Sequence, residues 1–416
     1  MIRWTCRSRR SLMCGITVWR QPVDSKPLRI LFLTPYFRPY LGGIERAIEQ
    51  LSFQMQQSAS IDAVGVLTTK YSFPRCPQPT WDDKETTPEG ISIYRLSGFP
   101  RRPLPFYSVP LVWFSPWRLK KYLDEFKPDV IHFVGDGWFW GHFWAWFWYR
   151  GRARFVFTPS YHTLPLSRWW LKPINAFLCG ISDRVVALTE LEAEGVHRAY
   201  LTSKNKLGVI GWGASIGEKC GQKPGQLDDE MDTGPVTVLC VGRLGSHKGQ
   251  RWLLNVYRMA RGQFEWPVRI VLVGRDEGAT AGIENFITQN QLEGEVIVTG
   301  EVSDGELAEW YAEADLFVLF SRYEAFGLVY LEAMAHGTPV LTHDVGANRE
   351  VLSRGAVLVP RYNEAAAAYE LVRLVNDRKA RRELGREAQE YALIEFAWPV
   401  VAEKYLKVYQ DTRTAA

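Results

Sequence analysis

No run of about 18 charge-free apolar residues occurs in the chain, so no transmembrane helix is expected. None of the six cysteines (Cys6, Cys14, Cys76, Cys179, Cys220 and Cys240) stands in a C-x-x-C pair, and their spacing is irregular. That argues against structural zinc, and a chain this long needs no disulfide framework. A reducing cytoplasm is the expected compartment. The pattern G-x-x-x-x-G-K-[ST] is absent, which excludes a Walker-type NTPase. There is no zinc-finger spacing and no RNP-like strand, so nucleic acid is not the expected partner. The opening "MIRWTCRSRRSLMCGITVWR" puts basic residues before a short apolar stretch, but Arg20 ends it and no small-residue cleavage site follows. Residues 1–27 are expected to be a disordered extension or an over-long start, with Met13 an alternative start.

What is present is globular: 46% hydrophobic and 23% charged residues over 416 positions, enough for about two domains. The net charge of +4 hides an asymmetry. Residues 1–215 hold 28 Lys+Arg against 16 Asp+Glu, a balance of +12, and the remainder holds 22 against 30, a balance of −8. Two domains with different partners are implied, the basic one suited to anionic lipid or phosphorylated molecules.

The apolar runs have a rhythm. "LRILFLTPYF" (28–37) reads as a buried parallel strand, and "LGGIERAIEQLSFQMQ" (41–56) follows as a glycine turn and a helix with Ile44, Ala47, Ile48, Leu51 and Met55 at helical spacing. Strand-length runs recur at 61–69, 128–135, 153–162 and 183–189, and again at 236–243, 268–275, 295–300, 314–321, 337–344 and 355–360. The fold class is therefore α/β, with two Rossmann-like parallel-sheet domains facing a cleft. The first is expected over 28–205 and the second over 206–395, with an apolar-poor segment at 217–235 as a loop near their boundary. An amphipathic helix within 396–416 follows.

Ligands of open parallel sheets bind beyond the C-terminal strand ends, so the loops there carry the chemistry. "GRLGSHKG" (242–249) puts Arg243 and Lys248 among Gly242, Gly245 and Gly249, which suits a diphosphate; a solvated turn is the plain alternative. "SRYEAFGLVYLEAMAHG" (321–337) is loop then helix. Its amides near Phe326, Gly327 and Leu328 open a helix N-terminus that favours an anion. Glu332, one turn on, could accept two hydrogen bonds from a diol, and Glu324 could touch the far end of the same ligand. An anion between two polyols describes a nucleotide-sugar; a surface acid and a loop acid are the plain alternative. Gly43 brings backbone to a first-domain strand end, and His162 ends another strand, where a lone histidine can also be merely structural.

Together these places resemble family 4 retaining glycosyltransferases of the GT-B fold, from about residue 28 to about 410. "VGRLGSHKG" is similar to the family's Gly-Arg–loop–Lys-Gly element, and "EAFGLVYLEAMAHGTPVL" to its two-glutamate signature. "GEVSDGELAEWYAEADLFVLFS" matches the approach to that signature, while "PYLGGIERAIEQL", "DVIHFVG" and His162 match less closely. "VIGWGAS" (209–215) departs from the usual I-P-N-G-V-D. The resemblance implies that Arg243 and Lys248 hold the donor diphosphate with Gly242 and the backbone of Phe326, Gly327 and Leu328 beside it. It implies that Glu332 binds the ribose, Glu324 the transferred sugar, that His162 lies near the reacting centre, and that Gly43 approaches the donor from the acceptor side. The terminal helix would cross back to the first domain.

No cofactor is expected, the nucleotide-sugar being a substrate. No metal is expected either, because no convincing D-x-D motif stands at a strand end; the acids at 228–232 lie in the linker-like segment. "GWFWGHFWAWFWYRGRAR" (137–154) carries five tryptophans, and "RRPLPFYSVPLVWFSPWRLKK" (101–121) and "LSRWWLK" (166–172) again mix basic with aromatic residues. That chemistry suits a lipid headgroup layer, so peripheral contact with an anionic membrane and a sugar or lipid-linked sugar acceptor are expected. The alternative for the first stretch is a helix apolar on all sides and buried. Other functional alternatives are a non-catalytic glycosyltransferase-like scaffold, or an epimerase or phosphorylase on the same fold.

Overall fold

All six residues of the strand Val236–Val241 are buried, as a parallel strand covered by helices on both faces requires. Five more strands join it in the order Val296–Gly300, Val268–Val273, Val236–Val241, Leu316–Leu319, Val340–His343, Ala356–Val359, all parallel. The chain works outward from Val236–Val241 and then returns to its other side. The switch point thus falls between the C-terminal ends of Val236–Val241 and Leu316–Leu319, where the sequence puts the Lys248 and Glu324 loops. The computed structural model describes residues 26–39, 42–72, 76–77, 81–101, 111–135, 138–159, 171–214 and 234–414.

The first sheet has eight strands: Leu207–Val209, Arg184–Ala187, Arg154–Thr158, Val130–Val134, Leu28–Leu33, Ile61–Thr69, Ser92–Leu96 and Lys84–Thr86. Only the last pair is antiparallel. Leu207–Val209 corrects the expected start of the second domain at 206: it pairs with Arg184–Ala187 and closes the first sheet. Three residues carry too little pattern to be assigned to a sheet from sequence. The segments 1–25 and 215–233 lie outside the described residues.

The helix Gly43–Gln56 buries Ala47, Ile48, Leu51 and Met55, the expected face. The C-terminal helix Trp398–Thr414 packs against it and against the strand Arg154–Thr158. Its Tyr409 hydroxyl lies 2.7 Å from Nδ1 of His132, whose Nε2 is 2.9 Å from Thr158 Oγ1. Burial pushes His132 down to about 3, so it is neutral and serves as a clamp between helix and sheet. The unusual "VIGWGAS" has a structural use: Trp212 stacks on Tyr405 of the same helix, with ring centroids 5.9 Å apart. Two polar contacts also join the domains. The Glu350 carboxylate accepts from the Glu190 and Leu191 amides (2.6 and 3.1 Å) at the start of the helix Glu190–Tyr200, and Arg46 pairs with Asp304 at 2.8 Å.

The tryptophan-rich stretch forms the helix Phe139–Tyr149. Gly141, His142, Ala145 and Tyr149 are buried; Phe147 is exposed, and Trp140, Trp144, Trp146 and Trp148 are partly so. Small residues on the inner face let the helix approach the sheet, and the large rings lie outward or against the helices Pro116–Phe126 and Leu171–Ile181. The helix is therefore not buried on all sides.

Candidate functional site

Lys248 is placed by a turn in which its amide donates to the Gly245 carbonyl at 3.0 Å. Gly249 follows at φ 79°, capping the helix Gln250–Ala260. A Cβ there would stand 2.1 Å from the Phe320 carbonyl oxygen, so glycine is what lets this loop lie against the end of the strand Leu316–Leu319. The consequence is contact with the neighbouring loop: Lys248 Nζ donates to Glu324 Oε1 at 2.6 Å, and Ser321 Oγ donates to the same oxygen at 2.7 Å. Glu324 is buried. Arg243 leaves the same strand end but turns to an ion pair with Glu277.

Gly327 sits at φ 82° immediately before the helix Leu328–Ala335, and a Cβ there would meet the Tyr330 ring at 2.4 Å. The Tyr330 amide donates to the Gly327 carbonyl at 3.0 Å, and the Leu328 and Val329 amides open the helix N-terminus, where an anion is favoured. Phe326 is buried against Phe396 and contributes backbone rather than an exposed ring. One turn on, the partly buried Glu332 accepts a hydrogen bond from the Tyr311 hydroxyl at 2.7 Å. Burial raises the Glu332 pKa; the Tyr311 hydrogen bond and the charge of Arg46 act the other way. Tyr311 stands on the helix Asp304–Glu313. The start of that helix is fixed by Ser303 and Glu306 bonding reciprocally, Ser303 N to the carboxylate at 2.9 Å and Glu306 N to Oγ at 3.3 Å.

The first domain meets this surface with the start of Gly43–Gln56. A Cβ on Gly43 would lie 3.8 Å from Leu328 Cδ1, so Gly43 faces the helix N-terminus across the cleft. Glu45 is buried and accepts from the Gly42 amide at 2.9 Å. Burial pushes its carboxyl up to about 7, with the Arg243 charge among the opposing influences.

The structure thus brings Gly242, Lys248, Glu324, Phe326, Gly327, Leu328 and Glu332 to one side of one cleft, with Gly43 facing Leu328 from the other side and Arg243 at the edge on Glu277. His162 lies outside the described residues. Sequence reasoning missed Glu45, Ser321, Tyr311 and Glu277. Glu45 had a signal, an acid three residues after Gly42 at a helix start, and Ser321 stands three residues before its partner Glu324; Tyr311 and Glu277 meet their partners only through tertiary contact. Among the described residues no group of three or more His, Cys, Asp or Glu could hold a metal ion, and no helix is long and apolar enough to cross a membrane.

Two parallel-sheet domains across such a cleft define the GT-B class, and solved structures of that class superpose on the chain. Sucrose-phosphate synthase from Thermosynechococcus elongatus does so with a TM-score of 0.72 at 21% identity, covering 93% of this chain and 99% of that one. HepE from Anabaena in complex with UDP gives 0.71 at 18%, covering 92% and 100%. At these identities the likeness is one of fold.

Residues 41–216 match the family model for Glycosyltransferase Family 4, and residues 228–391 that for Glycosyl transferases group 1. The chain belongs to this family of glycosyltransferases. Among curated relatives, D-inositol 3-phosphate glycosyltransferase from Corynebacterium diphtheriae is 30% identical over 241 residues, 55% of this chain and 56% of the relative. The sulfoquinovosyl transferase SQD2 of Arabidopsis thaliana is 26% identical over 394 residues, 88% of this chain and 70% of the relative. The chain spans little more than half the length of the inositol-phosphate glycosyltransferases it matches.

Proposed function

We propose that this protein moves a sugar from a nucleoside-diphosphate-sugar to an acceptor hydroxyl with retention of configuration, without a metal ion. The observation that carries this is the buried Lys248–Glu324 pair beside the helix N-terminus at Leu328, with Glu332 one turn further. The bond between the sugar's anomeric carbon and the diphosphate oxygen breaks, and negative charge collects on the departing nucleoside diphosphate. Lys248 and the Gly327–Leu328 amides would stabilise that charge, and Arg243, at the edge of the cleft on Glu277, would turn to it when the donor binds. The acceptor oxygen forms its bond to the anomeric carbon, and the hydroxyl's proton leaves with the departing nucleoside diphosphate. Glu324 would receive hydroxyls of the sugar and Glu332 those of the ribose. The Arg46–Asp304 and Glu350–helix contacts join the two domains, and closure of the cleft between them would keep water from the donor. The UDP held by HepE supports the ligand class.

A thermal-shift screen of UDP-, GDP- and ADP-sugars in EDTA tests the reading. A rise in Tm with one nucleotide class, followed by acceptor-dependent release of its nucleoside diphosphate, is the expected result. Binding with no turnover on any acceptor would favour the scaffold. Donor conversion without an acceptor product would favour an epimerase.

We place the acceptor in the first domain, and its chemistry in polysaccharide, lipopolysaccharide or glycolipid synthesis at the inner membrane face. Trp117 is 68% exposed and stands 4.9 Å, ring to ring, from Trp148. Lys120 lies 5.9 Å from the Trp148 ring, and Arg150 lies 5.3 and 5.2 Å from those of Trp146 and Phe147. Rings with adjacent cations suit an anionic headgroup layer. Flotation with phosphatidylglycerol vesicles is expected to carry the protein upward, and zwitterionic vesicles to leave it behind. Trp117→Ser combined with Phe147→Ser should abolish flotation with Tm little changed. Flotation that survives the pair removes this surface from the reading.

A further inference from the structure

A short segment of the second domain ties the Glu324 loop to the first domain. The Ala347 amide donates to the Glu324 carbonyl at 3.2 Å. Gly346, at φ 55°, permits that approach, because a Cβ there would stand 2.0 Å from the same oxygen. Ala347 and Asn348 are buried, and Asn348 Nδ2 donates to the His343 carbonyl at 2.8 Å. The Glu350 and Val351 amides donate to the Ala347 carbonyl at 3.0 and 2.9 Å, within the short helix Asn348–Val351. The chain from Ala347 to Glu350 therefore joins the Glu324 carbonyl to the Glu350 side chain, with its turns fixed by hydrogen bonds.

At its far end Glu350 reaches the first domain. The helix Glu190–Tyr200 satisfies part of its own first turn: Glu192 N donates to Thr189 Oγ1 at 3.0 Å and Ala193 N to the Thr189 carbonyl at 2.9 Å. The Glu190 and Leu191 amides instead donate to the two oxygens of the Glu350 carboxylate, one each. The helix dipole and the unpaired amides both favour a negative charge there. The contact is exposed to solvent, so it adds little to stability. Its placement matters more. The loop that docks on the first domain also holds the backbone of Glu324, so the domain contact and the sugar-binding acid share one support.

We propose that Glu350 is a positioning residue for the transfer reaction. Docked on the Glu190 and Leu191 amides, it holds residues 346–350, and through them the Glu324 backbone, in the geometry that receives the donor sugar. The contact is made only when the two domains meet. Closure then completes the sugar subsite as well as covering it. Glu350 acts through Glu324 and not on the substrate. The consequence for the reaction rests on the donor reading of Lys248, Glu324 and Glu332; the mechanical link between the domains does not.

Hydrogen exchange on the full chain reads the link directly. Glu350→Ala removes the contact from the second domain. Glu190→Pro removes one of its donors from the first: proline suits the first position of a helix, and Thr189 before it is already extended at φ −146° and ψ 159°. Measured without ligand and with millimolar UDP, GDP or ADP, Glu350→Ala should raise exchange in residues 321–328 at least about fivefold with Tm little changed. Glu190→Pro should do the same more weakly, and the double variant should match Glu350→Ala alone. Should Glu350→Ala fail to fold, Glu190→Pro carries the test. Unchanged exchange under every condition, or effects that add in the double variant, overturns the proposal. In turnover, kcat should fall at least about tenfold in Glu350→Ala while nucleoside-diphosphate affinity changes less than about threefold, because the diphosphate is held by Lys248 and the helix end at Leu328. Glu350→Gln keeps one acceptor oxygen and should lie between the two. If kcat holds while exchange rises, the contact positions nothing that the reaction uses, and the proposal falls. Raised exchange in a protein that binds no nucleotide would overturn the donor reading and bear out the link between the domains.

Discussion

Replacing Lys248 with Met is expected to lower kcat/KM about 1000-fold, by removing a preformed cation from the place where the leaving diphosphate gains charge. The same change has a second, separable effect. The Lys248 and Glu324 side chains are only 17% and 10% exposed, so the variant leaves a carboxylate buried with Ser321 as its one remaining partner among those described here. Loss of one member of a buried pair costs about 3 kcal/mol, a drop of several degrees in Tm. Lys248→Met combined with Glu324→Gln removes the stranded charge and should recover most of that stability, while activity stays lost. Steady-state kinetics and thermal unfolding on the two variants separate the roles. Turnover within about tenfold of wild type in a destabilised Lys248→Met would make the pair structural and end its assignment to catalysis.

Why this pair could be found, and other contacts could not, follows from distance along the chain. Arg243, Lys248, Glu324 and Glu332 announce themselves because each stands a few residues from a buried apolar run and a helix start, and that local pattern is written in the sequence. The two-sheet architecture was legible for the same reason: runs such as "VTVLCV" and "VRIVLV" are short, rich in β-branched residues and almost wholly apolar, as strands covered on both faces are. Tyr311 is not legible as the partner of Glu332. It is 21 residues away, on a helix whose placement depends on the whole sheet order. Glu277 is alike in this: it lies 34 residues from Arg243, and nothing local distinguishes it from other loop acids. The helix Phe139–Tyr149 shows a different limit. Its rings surround the axis, so no periodicity says which side faces water, and only packing of Gly141 and Ala145 inward settles it. At 209–215 the departure from the usual hinge pattern had no local rationale, whereas the stacking of Trp212 on Tyr405 supplies a tertiary one.

Glu332→Ala is expected to weaken nucleoside-diphosphate binding about 100-fold, since two hydrogen bonds from a ribose diol to a carboxylate are at stake. Its pH dependence makes the assignment specific. Burial holds the Glu332 carboxyl above its usual range, and only the ionised form accepts from both hydroxyls. Donor affinity should therefore rise as pH climbs through the elevated pKa and fall on acidification through it. Stability without ligand moves in the opposite sense. A carboxyl whose folded pKa is raised favours the folded state most when protonated, so its contribution is present below the unfolded value and lost as pH rises through the folded one. Glu332→Gln should remove both trends, leaving a weak affinity that no longer follows this group. Tyr311→Phe keeps the carboxylate but deletes the hydrogen bond that opposes burial. The pKa then rises further, and the acid limb of the affinity profile should move to higher pH. Affinity measured by calorimetry across pH for these variants is decisive. If Glu332→Gln matches wild type at every pH, the carboxylate does not hold the ribose and serves only to anchor Tyr311. A displaced limb in Tyr311→Phe, together with a flat profile in Glu332→Gln, ties the nucleotide to this carboxylate rather than to the general charge of the cleft.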